Sequence, residues 1–162
     1  MQPQHEGIAA AQMMQLNKVG EALGKLEAVH AMTDVTGFGL LGHLTEMAEG
    51  SSLTAVLQDF SKIPLLTRDL SLYVQKNSVP GGTNRNWDSY GHKISISDDY
   101  GDYETVRCIL ADPQTSGGLL VAIDPSGKKE IESIFKEYGL LNYLNPIGHF
   151  IRQTNHTVEV LH

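Results

Sequence analysis

The chain has 162 residues, long enough to bury a core without disulfide or metal staples, and 41% hydrophobic with 19% charged residues is ordinary for a globular protein. A formal net charge of −7 excludes general nucleic-acid or acidic-membrane binding, which need basic surface, but leaves room for a local anion site built from backbone N–H groups. The single Cys108 excludes an internal disulfide, and with neither a long apolar run nor a secretory leader the expectation is a soluble, cytoplasmic protein.

Taken in chain order, Met13, Leu16, Val19, Leu23 and Leu26 form an apolar stripe that predicts one helix over residues 7–26. Residues 28–33 read as a short strand feeding a turn at Asp34. Beyond it, Leu40, Leu41, Leu44, Met47 and Ala48 fall at helical spacing and stop at Gly50. A second strand is predicted over 53–57, and Pro64 is expected to open a helix carrying Leu66, Leu70, Tyr73 and Val74 on one face. Residues 78–92, rich in Gly, Asn and Ser, read as a loop, and 93–97 as a brief strand. Asp98, Asp99, Asp102 and Glu104 form the solvated entry to a short helix through Val106, Ile109 and Leu110. They lack the ligand spacing of a calcium loop. A buried strand over 119–123 follows, then a helix capped by Ser126, with Ile131, Ile134, Phe135 and Tyr138 inward and Gly139 at its end. Two closing strands, 146–151 and 158–161, flank a polar turn. The interleaving predicts a layered α/β domain spanning residues 1–162, a small mixed sheet flanked by helices.

The residues richest in chemistry lie between Thr33 and His43, where an acid, two threonines and three glycines precede a helix. Orphan N–H groups at a helix entry let an anion approach, and Asp34 stands where it can hold a divalent cation against phosphate oxygens. The other reading of the same residues is a tight strand–loop–helix turn in which Asp34 only caps. Thr36, Gly37 and Gly39 either present donors to a phosphate or shape the turn. His43, inside the helix, reads as a hydrogen-bonded structural residue. Arg85 either grips a phosphate or pairs with nearby acids at the surface, with Asn84 and Tyr90 as weaker candidates. The run Asp112–Gly118 either shapes a cleft or is a close helix-to-strand connection. Cys108, without a partner Cys or His, reads as a small core residue, and His5, His149, His156 and His162 lack zinc-ligand spacing.

Three segments carry a family resemblance. Ala31-Met32-Thr33-Asp34-Val35-Thr36-Gly37-Phe38-Gly39-Leu40-Leu41-Gly42-His43 resembles the start of the C-terminal domain of the selenophosphate synthetases (selenide, water dikinases). Val79-Pro80-Gly81-Gly82-Thr83-Asn84-Arg85-Asn86, with Ser89-Tyr90-Gly91-His92, is similar to a segment of those enzymes. Asp112-Pro113-Gln114-Thr115-Ser116-Gly117-Gly118-Leu119-Leu120 resembles a motif of the wider AIR-synthase-like family. The resemblance implies an AIR-synthase C-terminal-domain fold, partly ferredoxin-like. It implies an intact enzyme that converts ATP, selenide and water to selenophosphate, AMP and phosphate, for selenocysteine and selenium-modified tRNA. It further implies Mg²⁺ held partly by Asp34, and phosphate contacts from Thr36, Gly37, Gly39 and Arg85. Catalytic residues, including the selenium-handling one, would lie in an N-terminal domain outside these residues, so the sequence reads as a C-terminal fragment, inactive alone. The full-length protein is expected to be a homodimer. The alternatives are another ATP-dependent AIR-synthase-like enzyme, of purine, thiamine or hydrogenase-cofactor metabolism, and a non-catalytic binding module.

Overall fold

A computed structural model describes residues 2–162. Among them are seven α-helices and six strands. The helices are α1 Ile8–Met13, α2 Val19–Leu23, α3 Gly39–Gly50, α4 Leu70–Gln75, α5 Gly81–Tyr90, α6 Tyr103–Leu110 and α7 Lys128–Glu137. The strands are β1 Val29–Asp34, β2 Leu53–Leu57, β3 Ile94–Ile96, β4 Leu119–Ile123, β5 Gly148–Arg152 and β6 Val158–Val160. No helix among these residues is long and apolar enough to cross a membrane.

The strands form two sheets. A four-stranded sheet runs β3-β6-β2-β5, with β2, β6 and β3 parallel and β5 antiparallel to β2. The mixed sheet is therefore present, but β1 and β4 leave it to form their own antiparallel ribbon, with Asp34 opposite Leu119. The inner strand β2 is buried on both faces from Thr54 to Leu57, as a central strand covered on both sides must be. Thr54 is tolerated there because its hydroxyl donates to the His156 carbonyl at 2.7 Å. Helix α3 lays Leu41, Leu44 and Ala48 against this sheet and against α5 and α6, and Leu120 of the ribbon joins the same apolar cluster.

Four local expectations are corrected. The N-terminal stripe does not make one helix. The chain breaks between α1 and α2, leaving Met14 and Leu16 77% and 75% exposed, and at the break Asn17 Nδ2 donates to the Gly117 carbonyl at 3.0 Å. Pro64 does not open a helix. The Thr67 hydroxyl accepts from the Asp69 N–H at 3.2 Å, and α4 starts only at Leu70. Ser126 does not cap α7. The side-chain cap lies two residues earlier, where Asp124 accepts from the Ser126 N–H at 2.8 Å and begins a 3-10 turn, Pro125–Gly127, that leads into α7. The largest correction is at residues 78–92, where the expected loop is helix α5, begun after Pro80.

Candidate functional site around the turn after the first strand

The turn between β1 and α3 is pinned on both flanks. On the strand side, the Val35 N–H donates to Gly118 O at 2.9 Å. Gly117 lies so close that a Cβ there would sit 2.1 Å from Val35 O, so no other residue fits. On the helix side, Gly39 has φ +68°, and its Cβ would meet Ala111 C at 2.8 Å and Asp112 O at 2.9 Å. The carbonyl of Thr36 accepts from both Gly39 N and Gln114 N at 3.0 Å. The backbone N–H groups of Thr36, Gly37 and Phe38 have no partner among the described residues, so three donors stay open at the entry of α3.

Asp34 ends β1 with its side chain exposed and, among the described residues, without a hydrogen-bond or ion-pair partner. It therefore does not cap the turn. No group of three or more His, Cys, Asp or Glu side chains among the described residues could hold a metal ion. An exposed carboxylate such as Asp34 fits a metal as a single ligand, and among the described residues no group of such side chains stands with it to complete a coordination shell.

Thr36 and His43 form a pair, Oγ1 to Nε2 at 3.1 Å, and His43 Nδ1 lies 3.1 Å from Glu46 Oε2. His43 is 7% exposed with both ring nitrogens engaged, which is the structural role read from the sequence. Gly37 is exposed, has nothing within 4 Å of where a Cβ would stand, and offers its carbonyl to Asn86 at 2.9 Å. Of the three glycine-region candidates, Gly39 has its N–H committed to the turn, whereas Thr36 and Gly37 keep theirs open.

Arg85 sits in the first turns of α5, exposed, and has no hydrogen-bond or ion-pair partner among the described residues. It does not pair with the nearby acids. Those are occupied otherwise: Glu104 binds Arg107, and Asp102 caps α6 by accepting from Thr105 N at 3.0 Å. The acidic entry read from the sequence is thus a helix cap.

Of the side chains that assemble this region, Tyr90 alone is a candidate from the sequence, and a weaker one; Thr83 and Asn86 are not singled out there. Thr83, Asn86 and Tyr90 are buried on one face of α5. The Thr83 hydroxyl donates to Asp112 Oδ1 at 3.1 Å, Asn86 Nδ2 donates to Gly37 O and to Ala111 O, and the Tyr90 hydroxyl donates to Phe38 O at 2.7 Å. Burial raises the Tyr90 pKa far above its ordinary value, so the phenol keeps the proton it donates. Asp112 is also pushed up by burial, against hydrogen bonds from Thr83 and Gln114 that pull it down. Their positions, 83, 86 and 90, repeat at helical spacing, a signal available in the sequence but masked by two glycines and four polar residues around it. Cys108, 3% exposed, has its thiol pushed up to about 11, first by burial and then by its bond to Glu104, which makes it a poor nucleophile.

All three motifs of the sequence therefore meet here: the turn after β1, helix α5, and the segment from Ala111 to Gly118. The profile of the family described as AIR synthase related protein, C-terminal domain, matches residues 4–161. Among curated proteins, the chain is 50% identical over 159 residues to the selenide, water dikinase of Pseudomonas putida, covering 98% of this chain and 43% of that protein. It is 48% identical over 162 residues to the selenide, water dikinase of Aeromonas hydrophila, covering 99% of this chain and 44% of that protein. The same figures are 46%, 162 residues, 99% and 44% for the selenide, water dikinase of Bordetella bronchiseptica. The chain spans less than half the length of these relatives.

Proposed function

Since the chain belongs to the AIR synthase related family, as its C-terminal domain, we propose that it is that domain of a selenide, water dikinase. The intact enzyme would make selenophosphate, AMP and phosphate from ATP, selenide and water. It would act in the cytoplasm as a homodimer, with the other half of the enzyme as this domain's immediate partner. The 162 residues would then fold as one domain and be inactive alone.

The observation that carries the reading is the convergence of three separate segments on one short turn that holds an exposed carboxylate and open backbone donors. In phosphoryl transfer the protein mainly positions groups and neutralises charge, and this turn offers both kinds of contact. Asp34 would give one ligand to Mg²⁺, the others coming from the partner half, and the bound ion would supply charge neutralisation for the triphosphate. Thr36 and Gly37 would present N–H groups to phosphate oxygens, and Gly39 would shape their turn. The unpaired Arg85 guanidinium is free to meet a phosphate in two-pronged fashion. His43 holds the Thr36 hydroxyl with one ring nitrogen and Glu46 with the other.

The test is phosphorus NMR of ATP, Mg²⁺ and selenide incubated with the full-length protein that carries this chain. Selenophosphate and AMP are expected, and Asp34→Ala should lower their formation roughly 100-fold or more while the protein stays folded. ATP turnover indifferent to selenide would point to another ATP-dependent enzyme of the family. No turnover at all would point to a binding module.

A further inference from the structure

We propose that Asn86 is a positioning residue for this site, a side chain that bonds both the turn after β1 and the C-terminal end of α6. The proposal rests on the function inferred above. Asn86 is 8% exposed, and its single amide nitrogen uses both protons, one on Gly37 O at 2.9 Å and one on Ala111 O at 3.0 Å. The two acceptors lie 74 residues apart along the chain.

Neither acceptor has another donor among the described residues. Ala111 O, which accepts from the Asn86 amide, also lies close against the left-handed Gly39, where an added Cβ would stand 2.9 Å from it. Gly37 O has no other donor among the described residues. Freeing Gly37 would let the turn rotate about Thr36, whose carbonyl is the shared acceptor of Gly39 and Gln114. That rotation re-aims the open N–H groups of Thr36 and Gly37, three residues at most from Asp34. Thr83 and Tyr90 flank Asn86 on the same face and bond Asp112 and Phe38, so α5 grips both segments at three points. Few side chains can replace Asn86. Aspartate sets two oxygens against two carbonyls, and serine brings one donor on a shorter arm. The composition of α5 is consistent with this task. Gly82 leaves room for Pro113, whose Cγ would be 2.8 Å from a Cβ there, so the helix gives up propensity in exchange for close approach.

The experiment compares the full-length protein with Asn86→Leu, which keeps size and loses both donors, and with Val56→Ala in β2, a buried change in the four-stranded sheet rather than in the β1–β4 ribbon that leads to the turn. Two quantities are read: selenide-dependent ATP turnover, and hydrogen exchange of peptides covering residues 34–40 and 110–118. Asn86→Leu should lower kcat about 10- to 100-fold and speed exchange of both peptides about tenfold or more, with β2 and β6 still protected. Val56→Ala should leave kcat and both peptides at parental values. Asn86→Ser should fall between, and it decides the matter at the same two readouts if Asn86→Leu does not fold. Turnover within about twofold of the parent, unchanged exchange of the two peptides, or an equal kcat loss in Val56→Ala would each overturn the proposal. If the unmutated protein shows no selenide-dependent turnover, the functional reading fails by itself, and the exchange comparison alone then decides whether Asn86 joins the two segments.

Discussion

At Gly39 the backbone has φ +68°, and any Cβ would stand 2.8 Å from Ala111 C. Two residues earlier, Gly37 has nothing within 4 Å of a Cβ position and an ordinary φ. These glycines serve different ends, and substitution separates them. Gly39→Ala should cost about 2–4 kcal/mol in urea unfolding, summing left-handed strain and overpacking against immovable backbone. Gly37→Ala should change stability by no more than about 0.5 kcal/mol. If Gly37 admits a phosphate, the same Gly37→Ala should raise KM for ATP, because a methyl group then stands where the ligand approaches. An unaltered KM would remove Gly37 from the site. Cys108 belongs to neither group: a buried thiol pushed up to about 11 is core, as its lone position in the sequence already indicated.

Among elements, α5 departs furthest from what propensity favours. It opens with two glycines, each about 1 kcal/mol poorer than alanine in a helix, and its inward face is polar. Tertiary hydrogen bonds offset this, since each buried donor finds a carbonyl or carboxylate that would otherwise be unsatisfied. The Thr83–Asp112–Gln114 arrangement has a consequence for pH. The folded-state pKa of Asp112 is raised, chiefly by burial, so its contribution to stability is complete below the unfolded value and is lost as pH rises through the folded one. Asp112→Asn, neutral throughout, should therefore gain stability relative to the parent as pH rises above the ordinary carboxylate value of about 4, measured by urea unfolding at each pH. A difference that shrinks or stays flat over that range would contradict the burial argument. Glu104 works in the opposite sense. Hydrogen bonding to Arg107 lowers its pKa, so its contribution is present above the unfolded value and disappears as pH falls through the folded one. At 59% exposure it amounts to about 0–1 kcal/mol.

Across the whole molecule, order is graded from the four-stranded sheet outward. β2 and β6 lie in the apolar cluster, with Ala55, Leu57, Val158 and Val160 at most 2% exposed, whereas α1 buries no residue at all. The N-terminal segment is tied down mainly by side-chain bonds, such as His5 Nδ1 to the Tyr73 hydroxyl at 2.8 Å. Native-state hydrogen exchange should accordingly find Ile8–Met13 exchanging first, by local opening, and Ala55–Leu57 only on global unfolding. Equal protection in the two would refute this gradient. The sequence by itself determined every strand, helices α3, α6 and α7, and the turn at Asp34. In most of those the local signal, an apolar period or a short apolar run between turn residues, agrees with the side that packs inward. Only the tertiary structure decided the split of the strands into a sheet and a ribbon, the break after α1, and the existence of α5. Each depends on partners far along the chain: Gly117 for Asn17, Gly37 and Ala111 for Asn86, Asp112 for Thr83. Apolar periodicity records which residues avoid water, and it is silent about buried polar side chains, whose place is set by the distant carbonyls and carboxylates they satisfy.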